Sequence, residues 1–147
     1  MSGYLLDTSV LSLFAPGRPD LTSEFAAWIA GRDTDLFVSA VSVTELQQGI
    51  AKLSRTSAGK RADAMRGWFE ATITQFERNL LNMEIDVARA AGNLADHAHA
   101  IGHQPGLADI LIAATAQVHD LTLLTRNVRH FEPLGIGVID PLLRLPD

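Results

Sequence analysis

The sequence predicts an α/β protein whose mostly parallel sheet of four or five strands is covered by helices on both faces. Short apolar runs, typical of buried strands, alternate along the chain with longer stretches in which apolar residues recur at helical spacing. Parallel strands need long crossover connections, and helices of this length supply them. Hydrophobic residues make up 47% of the 147 residues, enough for one core. We therefore expect a single domain spanning residues 1–147.

The individual elements follow from this alternation. The predicted strands are a run from Tyr4 that stops at Asp7, Leu36–Ser39, Leu80–Met83, Thr122–Thr125 and Gly137–Ile139. The predicted helices are a short one from Thr8 through Phe14, then Leu21–Ala30, Val41–Leu53, Lys60–Arg78, Asp86–Ile101, Leu107–Val118 and Val128–Phe131. We expect Pro16 and Gly17 to end the first helix, a break over 54–59, and Gly102 to close the long Ala-rich helix.

Composition excludes several kinds of chemistry. The sequence contains no cysteine, which rules out disulfides, thiolate zinc sites and cysteine nucleophiles. It also lacks a long apolar span and the basic start of a signal peptide, so we expect a soluble, cytoplasmic protein.

The net charge of -5 argues against a protein that coats nucleic acid nonspecifically. A local basic surface is still compatible with the sequence, because five basic residues fall close together: Lys52, Arg55, Lys60, Arg61 and Arg66. A solvated helix face explains the same residues equally well.

Three acids are the candidate chemical groups. Asp7 ends the first strand, and ligands of α/β folds bind at the carboxyl ends of the strands. A capping role would not need an acid there, because Thr8 or Ser9 can cap the next helix. Asp109 lies among apolar residues at the start of a predicted helix. Burial of its carboxylate there costs free energy, which either the helix N-terminus or a cation would offset.

Glu45 follows the second strand and is expected at the same edge of the sheet. However, the segment 42–45, Ser-Val-Thr-Glu, is also a capping box, and this structural role is favoured from the residues alone. Three acids at one edge would repel one another unless a hard divalent cation lay between them. Mg²⁺ or Mn²⁺ prefers such oxygen ligands and can activate water for phosphodiester hydrolysis.

Polar residues also follow the fourth predicted strand. Thr125 is placed to orient Asp7 by a hydrogen bond, Arg126 to meet a phosphate, and Asn127 to hold a metal-bound water. Spacing alone favours an ordinary strand exit in which Asn127 caps the next turn. A rival zinc site at His99 and His103, with His97 nearby, lacks a third ligand at suitable spacing.

Taken together, four segments resemble the PIN-domain ribonucleases, and in particular the VapC toxins of bacterial toxin–antitoxin pairs. The segments are Leu5–Ser9, Ser42–Leu46, Ala108–Thr115 and Thr125–Asn127 followed by His130 and Phe131. They lie in the family's order and at its spacing over nearly the whole chain. The resemblance implies a PIN-like three-layer sandwich.

The resemblance also implies an Mg²⁺- or Mn²⁺-dependent endoribonuclease that uses water as the nucleophile. Its metal ligands would be Asp7, Glu45 and Asp109, which with Asn127 form the catalytic set, supported by Thr8 or Thr125. The resemblance therefore favours a functional role for Glu45 and Asn127 over the capping roles that the residues alone favour. The implied substrate is structured RNA such as transfer or ribosomal RNA, the implied assembly is a homodimer, and the implied inhibitor is a cognate antitoxin. Candidate RNA contacts are Arg126, Lys52, Arg55, Lys60 and Arg61.

The sequence departs from the family at one position. Members often carry a fourth acid after the last motif strand, where this chain offers Asn127 and His130. A neutral group there would weaken a second metal position, so we expect one well-occupied cation and a second only with substrate.

Two other functions fit parts of the pattern. A strand that ends in an acid also begins the haloacid-dehalogenase phosphatases, but those enzymes need a second Asp where this chain has Ser9. A degenerate PIN fold that only binds RNA or protein is the non-enzymatic alternative, and the intact acids argue against it.

Overall fold

A computed structural model of the protein describes residues 3–57 and 59–147, and these ranges contain five β-strands and seven α-helices. The strands are β1 (Tyr4–Leu6), β2 (Leu36–Ser39), β3 (Leu80–Leu81), β4 (Thr122–Leu124) and β5 (Val138–Ile139). The helices are α1 (Thr8–Leu11), α2 (Ser23–Ile29), α3 (Ala40–Thr56), α4 (Lys60–Gln75), α5 (Ile85–Ala100), α6 (Leu107–Val118) and α7 (Val128–Phe131). The predicted alternation of strands and helices is confirmed.

The strands form one sheet in the order β3-β2-β1-β4-β5, and every pairing in the described ranges is parallel. Leu6 is aligned with Val38 on one side and with Leu124 on the other. The chain builds outward from β1 to β3 and then returns to place β4 on the opposite side of β1. The carboxyl ends of β1 and β4 therefore flank the point where the strand order reverses.

Each face of the sheet packs against its own layer of helices. Leu5 and Leu123 belong to a core with α5, α6 and α7, whereas Leu6 and Leu124 belong to a core with α1, α2 and α4. Consecutive residues enter opposite cores because side chains of a strand alternate between the two faces. The result is the expected three-layer sandwich, with helices burying both faces of the sheet.

Several predicted boundaries differ from the structure. Helix α3 begins at Ala40 with Ser39 as its N-cap and continues to Thr56, so the predicted break over 54–59 is too long. Residue 58 lies outside the described ranges. The predicted helix to Arg78 ends at Gln75 and is followed by a 3-10 turn, and the predicted strand to Met83 ends at Leu81.

The predicted closure of α5 is confirmed. Gly102 has a left-handed backbone with φ of 74°, which glycine adopts without steric cost. The adjacent amide of His103 donates to the carbonyl oxygen of Ala98 at 2.9 Å, which ends the helix. In the part of the chain that the structure describes, no helix is both long and apolar enough to span a bilayer.

The packing of the sheet predicts how shortening a buried side chain changes stability. Leu123→Ala should lower the free energy of unfolding by about 2–5 kcal/mol, because Leu123 is fully buried and its loss leaves a cavity. Leu143→Ala removes the same atoms from a residue that is 84% exposed and should change stability by less than about 0.5 kcal/mol. Urea unfolding followed by circular dichroism measures both. Equal losses would contradict the assignment of this core.

Candidate active site

The candidate site lies where the strand order reverses, the usual ligand position in open α/β sheets. Asp7 directly follows β1, and Thr125 directly follows the neighbouring strand β4. The Thr125 hydroxyl donates a hydrogen bond to Asp7 Oδ2 at 2.7 Å. The predicted orienting contact is therefore present, and it joins residues that are distant in the sequence.

Asp7 is a carboxylate held almost out of solvent, with 4% of its surface exposed. Burial raises its pKa above the ordinary value, and the nearby charge of Asp109 adds to this effect. Hydrogen bonds from Thr125, from Ser9 at 2.9 Å and from the Thr8 backbone act in the opposite direction but do not offset burial. The ionised form of Asp7 is thus held at a cost in free energy.

Glu45 lies beyond the first turn of α3, which begins at Ala40, one residue earlier than predicted. The first turn is capped by Ser39, whose hydroxyl accepts from the Val41 amide at 3.0 Å. The predicted capping box of Ser42 and Glu45 is therefore wrong, since both residues already lie inside the helix. The Glu45 carboxylate instead accepts a hydrogen bond from the Thr8 hydroxyl at 2.5 Å, next to Asp7 in the chain.

Thr8 links two elements at this point. Its hydroxyl oxygen also lies 2.9 Å from the hydroxyl of Ser42, a fully buried residue of α3. These contacts fix α3 against the start of α1. Thr8 therefore holds Glu45 at the same sheet edge as Asp7.

Asp109 occupies the first turn of α6, as the sequence predicts, with 24% of its side chain exposed. Its Oδ2 lies 3.0 Å from Nδ1 of His130 in α7. Of the two candidates for the position of a fourth acid, the structure thus brings His130 into contact with the acidic residues. Asn127 is exposed, and its backbone amide donates to the Thr125 hydroxyl at 2.9 Å. Asn127 occupies the N-cap position of α7, as spacing alone favours, but its side chain makes no capping bond among the described residues.

The three acids lie at the same edge of the sheet but do not form a complete metal site. Across residues 3–57 and 59–147, no three His, Asp or Glu side chains are close enough to hold a metal as they stand. The same applies to the rival histidine site. His103 Nε2 lies 2.9 Å from the backbone carbonyl oxygen of His130, and His97 and His99 are exposed on α5.

One oxygen of each acid is engaged by a neighbouring side chain. Ser9 and Thr125 both donate to Oδ2 of Asp7, Thr8 donates to Oε1 of Glu45, and His130 contacts Oδ2 of Asp109. These contacts leave the second oxygens of Glu45 and Asp109 without a side-chain partner, whereas Asp7 also accepts a hydrogen bond from the Thr8 backbone. The arrangement therefore presents three carboxylates from three elements at one edge of the sheet.

Basic residues lie on two sides of the acids. On α3, Lys52 and Arg55 share an open groove with Glu45, whereas Lys60 and Arg61 are exposed at the start of α4. Arg66 donates to Asp63 at 2.7 Å and to the Ser54 hydroxyl. Arg126 has a guanidinium nitrogen 3.6 Å from the Asp20 carboxylate.

Sequence reasoning did not assign site roles to several residues that the structure brings to this region. The sequence assigns Ser9 no contact with the acids, yet its hydroxyl binds both Asp7 and the Arg126 amide. The run of two hydroxyl residues after Asp7 is the one signal for it. Ser42 was visible only as part of the capping-box pattern, and no pattern links Asp20 to Arg126, because these contacts join distant segments.

This fold and site belong to a known class. Residues 4–134 match the PIN-domain family. Since this match covers most of the chain, the protein belongs to the PIN-domain family.

Within that family the chain is similar to toxins of toxin–antitoxin systems. It is 32% identical over 139 residues to VapC ribonuclease Y4jK of Sinorhizobium fredii, a match covering 93% of this chain and 96% of the relative. Toxin FitB of Neisseria gonorrhoeae gives the same identity and coverage. The crystal structure of FitAcB from Neisseria gonorrhoeae superposes with a TM-score of 0.80 at 32% identity, covering 94% of this chain and 97% of that one.

The burial of Asp7 predicts a stability change with a defined pH dependence. Because its folded-state pKa is raised, ionised Asp7 destabilises the fold, and this penalty disappears as pH falls below the ordinary value of 3.8. Asp7→Asn should therefore be more stable than the parent at pH 7, and the difference should shrink as the pH falls towards 3.8 and vanish below it. Thermal melts in the presence of chelator measure this.

Asp96→Asn is the matched control, because Asp96 is an exposed residue of α5. It should leave the pH profile unchanged. An Asp7→Asn protein that is less stable than the parent at pH 7 would contradict the penalty.

Proposed function

We propose that the protein is an Mg²⁺- or Mn²⁺-dependent endoribonuclease that acts as the toxin of a toxin–antitoxin pair. The observation that carries this proposal is the approach of Asp7, Glu45 and Asp109 to one sheet edge. Three separate elements bring them there, and Thr8 and Thr125 orient two of them. Membership of the PIN family and the ribonuclease names of relatives support the same reaction.

A hard divalent cation suits these residues. Asp7 is an ionisable carboxylate whose charge is penalised by burial and by Asp109, and a cation between them would remove that penalty. The oxygens left available are all carboxylate oxygens, the donors that Mg²⁺ and Mn²⁺ prefer. Small movements of the partly buried Glu45 and Asp109 side chains would be needed to complete the site, because three ligands are not yet gathered.

In this proposal Asp7, Glu45 and Asp109 hold the cation. When bound, it would polarise the phosphodiester and lower the pKa of the attacking water. Thr125 and Ser9 keep Asp7 in one orientation, and Thr8 does the same for Glu45. Asn127 and His130 flank the site, where Asn127 would orient water and His130 would restrain Asp109.

The RNA is expected to contact basic residues around the acids. Lys52 and Arg55 lie on the same groove as Glu45 and are the candidates for backbone phosphates, with Lys60, Arg61 and Arg126 as further contacts. Transfer or ribosomal RNA is the proposed substrate class, and the cytoplasm is the proposed place of action.

A cognate antitoxin is the proposed protein partner. Similar structures are described as complexes of this kind, including FitAB bound to an IR36 DNA fragment, which superposes with a TM-score of 0.81 at 30% identity. We further propose that the protein works as a homodimer, like its family, and that the antitoxin inhibits it by filling the acidic site.

The cleavage test uses total cellular RNA and purified protein with Mg²⁺, with Mn²⁺ and with chelator. We expect discrete fragments that require the cation. Asp7→Asn, with unchanged circular dichroism, should lower the rate at least about a hundredfold, since even outer contacts of metal sites are worth 10–100-fold. Asp96→Asn should cleave like the parent.

Two outcomes would overturn the proposal. Cleavage that persists unchanged in chelator or in Asp7→Asn would remove the acids from the chemistry. An absence of cleavage by protein freed of copurified partners, together with growth inhibition that survives Asp7→Asn, would favour the alternative, a degenerate PIN fold that binds RNA or protein.

Cation binding can be measured without catalysis. Calorimetry should give one Mn²⁺ or Mg²⁺ per chain, with binding lost in Asp109→Asn and retained in Asp96→Asn. The contact of His130, in place of a further acid, with Asp109 is the reason to expect a single well-occupied site. Two tight sites in the absence of RNA would contradict this expectation.

A further inference from the structure

A three-residue ion cluster lies beside the acidic site. Oδ2 of Asp20 is 3.4 Å from a guanidinium nitrogen of Arg18 and 3.6 Å from one of Arg126. Arg18 and Asp20 belong to the segment after α1, whereas Arg126 follows β4. One carboxylate oxygen therefore holds two arginines from distant parts of the chain near each other.

Stability gives little reason for this cluster. The Arg18 and Arg126 side chains are each 37% exposed and that of Asp20 is 48% exposed, and ion pairs this open to solvent contribute little to folding. Two guanidiniums and one carboxylate leave a net positive charge. The cluster thus places a cationic group next to Ser9, which in turn binds the Asp7 carboxylate.

The two arginines line a cleft of about 380 Å³ together with Ser9, Ser12 and Asn127, here called the Arg18–Arg126 cleft. Ser9 connects this cleft to the acids. Its hydroxyl donates to Asp7 Oδ2 at 2.9 Å and accepts from the Arg126 amide at 3.1 Å. Ser9 therefore lies between the cleft and the buried carboxylate of Asp7.

We infer that the Arg18–Arg126 cleft binds the RNA phosphate next to the one that is cleaved, with Arg18 and Arg126 sharing that phosphate. Guanidinium groups bind phosphate through paired N–H donors, and each has five such donors. The contact with Asp20 therefore leaves most of them free, and it holds the two side chains in position. This inference rests on the proposed function as a ribonuclease.

The positions of the two basic surfaces support a defined strand path. The groove with Lys52 and Arg55 begins at Glu45, which is bonded to Thr8. The Arg18–Arg126 cleft begins at Ser9, the next residue. Glu45 and Asp7 therefore lie where the two cationic surfaces meet, and an RNA strand that crosses from one surface to the other would place a phosphate at these acids.

Binding of RNA without cleavage tests the inference directly. The probe is a fluorescein-labelled 12-nucleotide single-stranded RNA of mixed sequence, followed by anisotropy in chelator over a range of KCl concentrations. Arg18→Ala should weaken binding about tenfold at low salt, the effect of losing one charge-assisted phosphate contact. It should also reduce the slope of log affinity against log salt, by at most about 0.7, the value for one phosphate on a single strand.

Matched variants separate a shared phosphate from general charge loss. Arg89→Ala removes an exposed arginine of α5 that lines neither basic surface and should leave the slope unchanged. Arg18→Lys keeps the charge and should restore the slope but not the full affinity. If both arginines hold one phosphate, the Arg18→Ala/Arg126→Ala pair should reduce the slope by about 0.7 in total, not by about 1.4.

Failure of this inference differs from failure of the proposed function. If Arg18→Ala changes the slope no more than Arg89→Ala, the cleft does not bind RNA, even where Asp7-dependent cleavage is observed. If the slope falls as expected but no cation-dependent cleavage occurs, the cleft binds an RNA phosphate and the nuclease assignment is overturned. Circular dichroism melts of each variant exclude unfolding as the cause.

Discussion

The hydrogen bond between Thr125 and Asp7 is the interaction on which the site depends. It exists because β1 and β4 are neighbours, although most of the chain lies between them. The same pairing creates the reversal in strand order that opens the sheet edge. Asp7 is buried there at a cost in free energy, as its raised pKa indicates. Buried carboxyl groups with a raised pKa at the carboxyl end of a parallel sheet are typical of functional sites.

Helices α3 and α6 add the other two acids because of where they begin. Ser39 ends β2 and caps α3 at once, so the helix starts without a loop and carries Glu45 inward to Thr8. Asp109 lies in the first turn of α6, where the helix N-terminus favours a carboxylate. Because both helices pack on the hydrophobic sheet, the positions of Glu45 and Asp109 are set by the core and not by a flexible loop.

Basic side chains flank the three acids on the surface of the protein. The chain has a net charge of -5, yet cationic side chains adjoin the site on both sides. An anionic polymer would be repelled by three carboxylates, and flanking arginines and lysines offset that repulsion close to the chemistry. Asp20 has a particular place in this arrangement, since it restrains two arginines without neutralising both. Local charge, and not the overall balance, is what a bound RNA would experience.

The sequence by itself determined the α/β class, the alternation of elements, and Asp7 and Asp109 as candidate residues, because hydrophobic periodicity and strand ends are local properties. The roles assigned through family resemblance remain predictions. Only the tertiary structure decided that Glu45 is not a capping residue, because the start of α3 depends on Ser39 and on packing against α1. It also decided the contact of His130 with Asp109 and the pairing of Arg18 and Arg126 through Asp20. These contacts join distant segments, and no local pattern specifies which distant residues the folded sheet will bring together.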